Sequence, residues 1–362
     1  MGARSNTDLR AAAAMMLVGF EGTTPSPEFA SFIRSSPPAG VIFFRRNFED
    51  TTQIAALVRQ IRALWPSGSP APLLAIDQEG GRVRRLKAPH CPEFASIPAM
   101  AKLGAVDDPK LTEAVGALTG RQLASLGFNL NFAPVLDVDS NPDNPIIGDR
   151  AFGADPERVI RHGLAFARGL HAAGVVACGK HFPGHGDTDV DSHLALPRLS
   201  HDIARLHACE LPPFAAAVAA DIPMIMSAHV VFSALDDQVP ATLSPTVIPQ
   251  ILRDEMGYDG VVVSDDLEMN AIASHFTPNE VAALGLAAGI DLFLVCRDLT
   301  QIVAVRDALA QHLPSRPTVA EGAMRRLTRL RAAASDHAAA TYPPEVAWSD
   351  DTELLRRFAP VD

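Results

Sequence analysis

Short, continuous apolar runs recur along the 362-residue chain, at 15–20, 41–44, 73–76, 129–133, 175–178, 224–227, 261–264 and 291–295. Runs this brief suit strands buried on both faces of a parallel sheet. Flanking Gly or Pro favours strands over fragments of helix. Longer stretches with helical spacing lie between them. Residues 50–65 open on a capped Asp-Thr-Thr-Gln start and bring Ile54, Leu57, Val58 and Ile61 together. Asp155-Pro156-Glu157 opens another helix with proline at its first position. Residues 111–126, 202–220, 245–256, 278–288 and 300–312 complete the set. Alternating strands and helices predict a parallel sheet with helices outside. Eight strands spaced by roughly 25 to 50 residues fit a single α/β domain, a closed (β/α)8 barrel of TIM type, better than an open doubly wound sheet.

Polar residues follow the runs. They are Asp77, Gln78 and Glu79 after the third, Asp137 and Asp139 after the fourth, and Lys180 and His181 after the fifth. His229 follows the sixth, Asp265 and Asp266 the seventh, and Arg297 the eighth. In a barrel these strand ends converge on the face that carries active sites, whereas a doubly wound sheet would string them along a line. The glycine fingerprints of dinucleotide and P-loop phosphate binding are both missing from the sequence. Residues 1–335 are therefore expected to form one barrel. Residues 336–362 lose the periodicity and are expected as a C-terminal extension without a domain of its own.

Composition narrows the partners. A net charge of -11 argues against nucleic acid, whose phosphates need a basic surface. Cys91, Cys178, Cys209 and Cys296 lie far apart with no C-x-x-C pair, as expected of buried, reduced thiols in a reducing compartment. The apolar stretch 11–20 has the length of a signal-peptide core. Asp8 precedes it and no clean cleavage site follows, so a mature N-terminus is expected. No other stretch is long enough to span a bilayer, so a soluble, cytoplasmic protein without a membrane partner is expected, with a monomer as the favoured state.

Three segments carry the candidate chemistry. From Lys180 to His193 the chain packs three His, three Asp and a Lys into fourteen residues. A metal site through His185 and His193 is one possibility. A proton-transfer loop in which Asp191 orients His193 is a second, and a polar surface loop is the third. With Gly184 and Gly186 to bend it, and polar side chains that would lack partners if buried together without ligand, 182–197 is expected to move and close over a substrate. The second segment ends the run 261–264 in Asp265 and Asp266, with Glu268 beyond. One of the adjacent pair should face the barrel mouth, while capping of the next helix accounts for Asp266 equally well. In the third, Asp77 leads through Gln78 and Glu79 to a Gly80-Gly81 turn and back to Arg82, Arg84 and Arg85. Carboxylates mixed with Arg suit recognition of sugar hydroxyls, and equally a salt-bridged turn. Residues 141–150 bring Arg150 to the same face.

Four motifs, D-Q-E-G-G-R-V-x-R, N-P-x-I-G-x-R, K-H-F-P-G-H-G-D-T-x-x-D-S-H and V-x-S-D-D-L-x-M, occur in that order between Val18 and about Leu330. This pattern resembles the bacterial family 3 β-N-acetylhexosaminidases, in their short one-domain form that acts on cell-wall fragments in the cytoplasm. The resemblance implies that Asp265 is the nucleophile, His193 an unusual acid/base and Asp191 its partner. It implies substrate contacts at Asp77, Arg85, Arg150, Lys180 and His181. Family members lacking the His-rich loop act on other sugars, so the loop implies N-acetylglucosaminides, with N-acetylglucosaminyl muropeptide fragments as the expected substrate.

Elementary chemistry agrees with these roles. Retaining hydrolysis needs a carboxylate that attacks the anomeric carbon and a second group that protonates the leaving oxygen and later activates water. Histidine suits the second role because it titrates near neutral pH. No metal or organic cofactor is required. A phosphorylase on the same scaffold would use phosphate in place of water, and a non-catalytic sugar-binding protein would retain the pocket without turnover.

Overall fold

The computed structural model describes residues 5–91, 94, 96–190, 192, 194–337 and 351–358. Eight strands form one parallel sheet: β1 (Met16–Val18), β2 (Gly40–Phe43), β3 (Leu73–Ile76), β4 (Leu130–Asn131), β5 (Val176–Phe182), β6 (Met224–Ser227), β7 (Val261–Ser264) and β8 (Phe293–Val295). Their spatial order is β8-β1-β2-β3-β4-β5-β6-β7. A parallel bridge between Val263 and Leu292 joins the two ends of that order. The Ser264 N–H reaches the Leu292 carbonyl at 3.0 Å across the same seam. The sheet is thus a (β/α)8 barrel of TIM type. Every residue of all eight strands is buried, which explains why their sequences are continuous apolar runs rather than alternating ones.

The helices that follow the strands form the outer layer. Thr51–Arg62 begins on the Asp50 side chain, which accepts the Gln53 N–H, and buries Ile54, Leu57, Val58 and Ile61. Pro156–Ala172 begins on Asp155 with proline in its first turn. Two expected helices differ in detail. The stretch 202–220 is Ile203–Arg205, a π-helical turn Leu206–Glu210 and then Pro212–Ala219. Pro212 and Pro213 have no N–H to give to the turn before them, which accounts for the irregular hydrogen bonding there. Residues Val247–Glu255 are π-helical as well.

Asn6–Ala13, Pro27–Ser35 and Met100–Val106 are helices that periodicity missed, being only seven to nine residues long. A small parallel pair, Arg198–Leu199 with Val231–Phe232, lies outside the barrel. Pro317–His337 is the last long helix. Of the C-terminal extension, residues 338–350 and 359–362 lie outside the described residues, while Leu354, Leu355 and Phe358 pack on the core. Cys178 and Cys296 are buried as expected, but Cys209 is only half-buried. Among the described residues no helix is long and apolar enough to cross a membrane.

Candidate active site

Strand ends β2 to β8 surround a cavity of about 280 Å³ at the C-terminal face of the barrel. Asp77, Arg85, Arg150, Lys180, His181 and Asp265 all line it, so six of the eight residues singled out in the sequence converge. Asp191 and His193 lie outside the described residues.

The wall is built on β3. Side chains alternate there, so Asp77 and Glu79 enter the cavity while Gln78 points away and organises the following turn. Gln78 Oε1 accepts the N–H groups of Arg85 and Leu86 at 2.8 and 3.1 Å. Gly80 and Gly81, at φ +123° and +52°, pass so close to Pro98 and Ala99 that a Cβ on either would collide. The turn therefore returns Arg85 to Asp77, at 3.1 Å. On β5, Lys180 and His181 both reach the cavity although they are adjacent. The pairing with β6 shifts register between Lys180 and Phe182, a bulge that breaks the alternation.

Lys180 Nζ sits 3.0 Å from Asp77 and 2.6 Å from Glu79. Arg150 grips Glu79 through two hydrogen bonds of 2.8 Å, a bidentate arrangement that fixes the guanidinium plane. Burial works against both acids. Arg150 and Lys180 outweigh it at Glu79, and Lys180 and Arg85 do so at Asp77, so both carboxyls lie below the usual carboxylate range. Burial likewise opposes the charge on Lys180, and Glu79 with Asp77 more than restores it.

Asp137 accepts the His181 N–H at 3.1 Å and meets His181 Nδ1 at 2.6 Å. His181 Nε2 lies 3.5 Å from Arg150 Nη2. Asp137 also accepts the His185 N–H at 2.7 Å. Sequence reasoning placed Glu79 and Asp137 at strand ends without giving them a role. The available signal for Glu79 was its spacing of two from Asp77; Asp137 gave none beyond its place after β4.

The start of the His-rich loop corrects one expectation. His185, Thr188 and Ser192 are buried, and they satisfy one another: His185 Nδ1 meets Thr188 Oγ1 at 2.8 Å and Nε2 meets Ser192 Oγ at 3.1 Å. Burial, with His181 nearby, lowers the His185 pKa to about 4, so the ring is neutral at neutral pH. These polar groups need no ligand to be buried, contrary to the argument for a loop left open by unpaired side chains. Among the described residues no group of His, Cys, Asp or Glu is arranged to hold a metal ion.

Across the cavity, Asp265 follows β7. Its Oδ1 accepts the Asp266 N–H at 2.7 Å. Burial opposes its charge, but His229, His181, that N–H and Lys180 overcome it, and the carboxyl stays below the usual range. Asp266 behaves oppositely: burial, with Glu268 and Asp265 adding, pushes it up to about 7. Its Oδ1 accepts the Glu268 N–H at 3.0 Å, so it caps a turn, whereas the next helix, Asn270–Ala273, has Met269 at its N-cap. Arg297, also at a strand end, is outside the cavity and pairs with Glu21.

An anionic carboxylate opposite a dense set of fixed donors and acceptors, on the open face of a barrel, is the equipment of a glycoside hydrolase. The comparisons with known proteins agree. The Glycosyl hydrolase family 3 N terminal domain matches residues 10–330. A beta-hexosaminidase of Pseudomonas aeruginosa is 36% identical over 352 residues, 96% of this chain and 99% of its own. Beta-hexosaminidase A of Pseudoalteromonas piscicida is 40% identical over 291 residues, and that match takes in 75% of this chain but 48% of the longer protein. The solved structure of a family 3 beta-N-acetylglucosaminidase from Paenibacillus sp. str. FPU-7 superposes with a TM-score of 0.90 at 38% identity, covering 96% of this chain and 67% of that one. The chain belongs to glycoside hydrolase family 3, and it is a glycoside hydrolase.

Proposed function

We propose that the protein is a retaining exo-β-N-acetylglucosaminidase that removes terminal β-linked N-acetylglucosamine, from peptidoglycan-derived (anhydro)muropeptides in the cytoplasm. Asp265 attacks the anomeric carbon and forms a glycosyl-aspartate. His193, partnered by Asp191, protonates the departing oxygen and then takes a proton from the water that releases the sugar. Asp77, Arg85, Arg150, Lys180 and His181 bind the sugar hydroxyls and hold the ring for attack. Asp265 supplies the electron pair of the first displacement and water that of the second, while His193 gives up its proton in the first and regains one from water in the second, so the reaction asks for no cofactor.

The observation that carries the proposal is the state of the Asp265 carboxyl. It is held anionic on a cavity whose opposite wall is a rigid, charged network suited to hydroxyl recognition. Asp266, the alternative carboxylate, spends an oxygen on its own turn and holds its proton up to about pH 7. The N-acetylglucosamine preference rests on the His-rich loop and on the family relatives named above. A 2-fluoro sugar should trap the intermediate on the peptide that contains Asp265, and Asp265→Ala should lower turnover of an aryl β-N-acetylglucosaminide by about 10³-fold or more. Labelling at Asp266 or Glu268 would mean that another carboxylate is the nucleophile.

A further inference from the structure

Several hydrogen bonds hold the turn after β7, and most of them meet at Asp266. Its N–H donates to Asp265 Oδ1 at 2.7 Å, and its Oδ1 accepts the Glu268 N–H at 3.0 Å. Its carbonyl accepts from His229 Nε2 and from the Met269 N–H, both at 3.0 Å. The next residue is tied to the barrel wall, the Leu267 N–H donating to the Leu294 carbonyl at 3.0 Å. The direction of the N–H that touches Asp265 is set by the backbone of Asp266, and that backbone is held from both sides. The side chain closes a local ring two residues on, a conformation that Asp and Asn adopt readily.

We propose that Asp266 is a positioning residue for the nucleophile, its side chain locking the turn that presses the Asp266 N–H onto Asp265 Oδ1. The inference rests on Asp265 being the nucleophile. It assigns Asp266 a purpose distinct from attack: the carboxyl fixes which lone pairs of Asp265 are occupied and which way the other oxygen faces.

The surroundings suit a carboxyl that keeps its proton. Burial is the chief reason, and the charges of Glu268 and Asp265 on its own segment add to it, outweighing the Glu268 N–H and the Cys296 thiol at the end of β8, which favour the anion. Arg297, next to Cys296, and Arg46, beyond β2, are cations within electrostatic reach among the described residues, and His229 after β6 holds the carbonyl. A neutral carboxyl accepts the Glu268 N–H without placing a second full negative charge beside the nucleophile.

The test is steady-state kinetics of Asp266→Ala, Asp266→Asn and Asp265→Ala on an aryl β-N-acetylglucosaminide, with circular dichroism and thermal unfolding of each. Loss of the lock should misdirect Asp265 by a fraction of an ångström to an ångström, so Asp266→Ala should lower kcat about 10- to 100-fold with KM changed little. Asparagine keeps the acceptor oxygen, so Asp266→Asn should recover at least tenfold of that loss. A loss confined to stability would leave kcat intact below the melting transition. Full kcat in Asp266→Ala, or an Asp266→Asn as slow as the alanine variant, overturns the inference while leaving Asp265 in its role. Should Asp266→Ala not fold, Asp266→Ser replaces it with a smaller expected fall in kcat, and wild-type kcat there overturns the inference equally. Persistent activity in Asp265→Ala overturns the nucleophile assignment and this inference with it.

Discussion

Glu79 is 1% exposed and carries one negative charge between two positive ones. Lys180 retains Asp77 as a second partner, but the carboxylate that grips Arg150 in two places is Glu79 alone among the described residues. Glu79→Gln keeps the volume and one acceptor, yet leaves Arg150 desolvated without its counter-charge. Breaking one partner out of a buried ion pair costs about 3–5 kcal/mol, and the amide that remains should reduce this toward the lower end. The expected outcome is a fall in unfolding free energy of about 3 kcal/mol in urea titrations, together with a raised KM, because Arg150 and Lys180 lose the group that holds them. A variant with unchanged urea midpoint and KM would show the triad to be dispensable. The residue that organises the wall is thus one the sequence presented only as part of a charged turn.

At the level of elements, the loop after β5 is docked on the loop after β4. Asn144 Nδ2 donates to the carbonyls of His185 and Gly186 at 2.9 and 3.0 Å, while its Oδ1 accepts the Ile146 and Ile147 N–H groups at 2.8 Å. Gly186 lies so near that a Cβ there would come within 1.7 Å of the Val138 carbonyl oxygen. Backbone cannot yield as a flexible side chain can, so Gly186→Ala should push the two loops apart. The expected result is a fall in kcat/KM of at least about tenfold, the scale of a misplaced catalytic group. Wild-type kcat/KM would show that this docking does not serve catalysis.

The same elements show what was legible in advance. The strands could be read because each is buried on both faces and bounded by Gly, Pro or a charge. The polar residues at their ends could be read because a barrel gathers those ends. What could not be read is contact between loops. The partnership of Asn144 with Gly186, of Asp137 with His181 and His185, and of Ser192 with His185 joins positions whose neighbours in sequence give no sign of it. The register shift at β5 was equally hidden, and it is what brings two consecutive side chains into one cavity.

Across the whole molecule, two buried groups make stability respond to pH in opposite senses. His185 falls from 6.5 to about 4 on folding. Its stabilisation is full above pH 6.5 and is lost as pH falls through about 4, because the unfolded chain binds the proton first. Asp266 rises from 3.8 to about 7. Its stabilisation is full below pH 3.8 and is lost as pH rises through about 7, because the unfolded chain releases the proton first. Between about pH 4 and 6.5 the two slopes oppose one another, each up to about 1.4 kcal/mol per pH unit. Asp77, Asp137 and Asp265, all lowered, enter only below the carboxylate range, where their stabilisation is lost as pH falls. Asp266→Asn removes one of the two opposing slopes and leaves the other. Unfolding free energies from urea titrations at pH 4.5, 5.5 and 6.5 should therefore rise more steeply with pH in Asp266→Asn than in the wild type. The difference between the two proteins should change by up to about 1.4 kcal/mol per unit, in favour of the variant toward neutral pH. The histidine contribution cancels in that difference, so it isolates the proton on Asp266. Parallel curves for the two proteins would show that Asp266 holds no such proton.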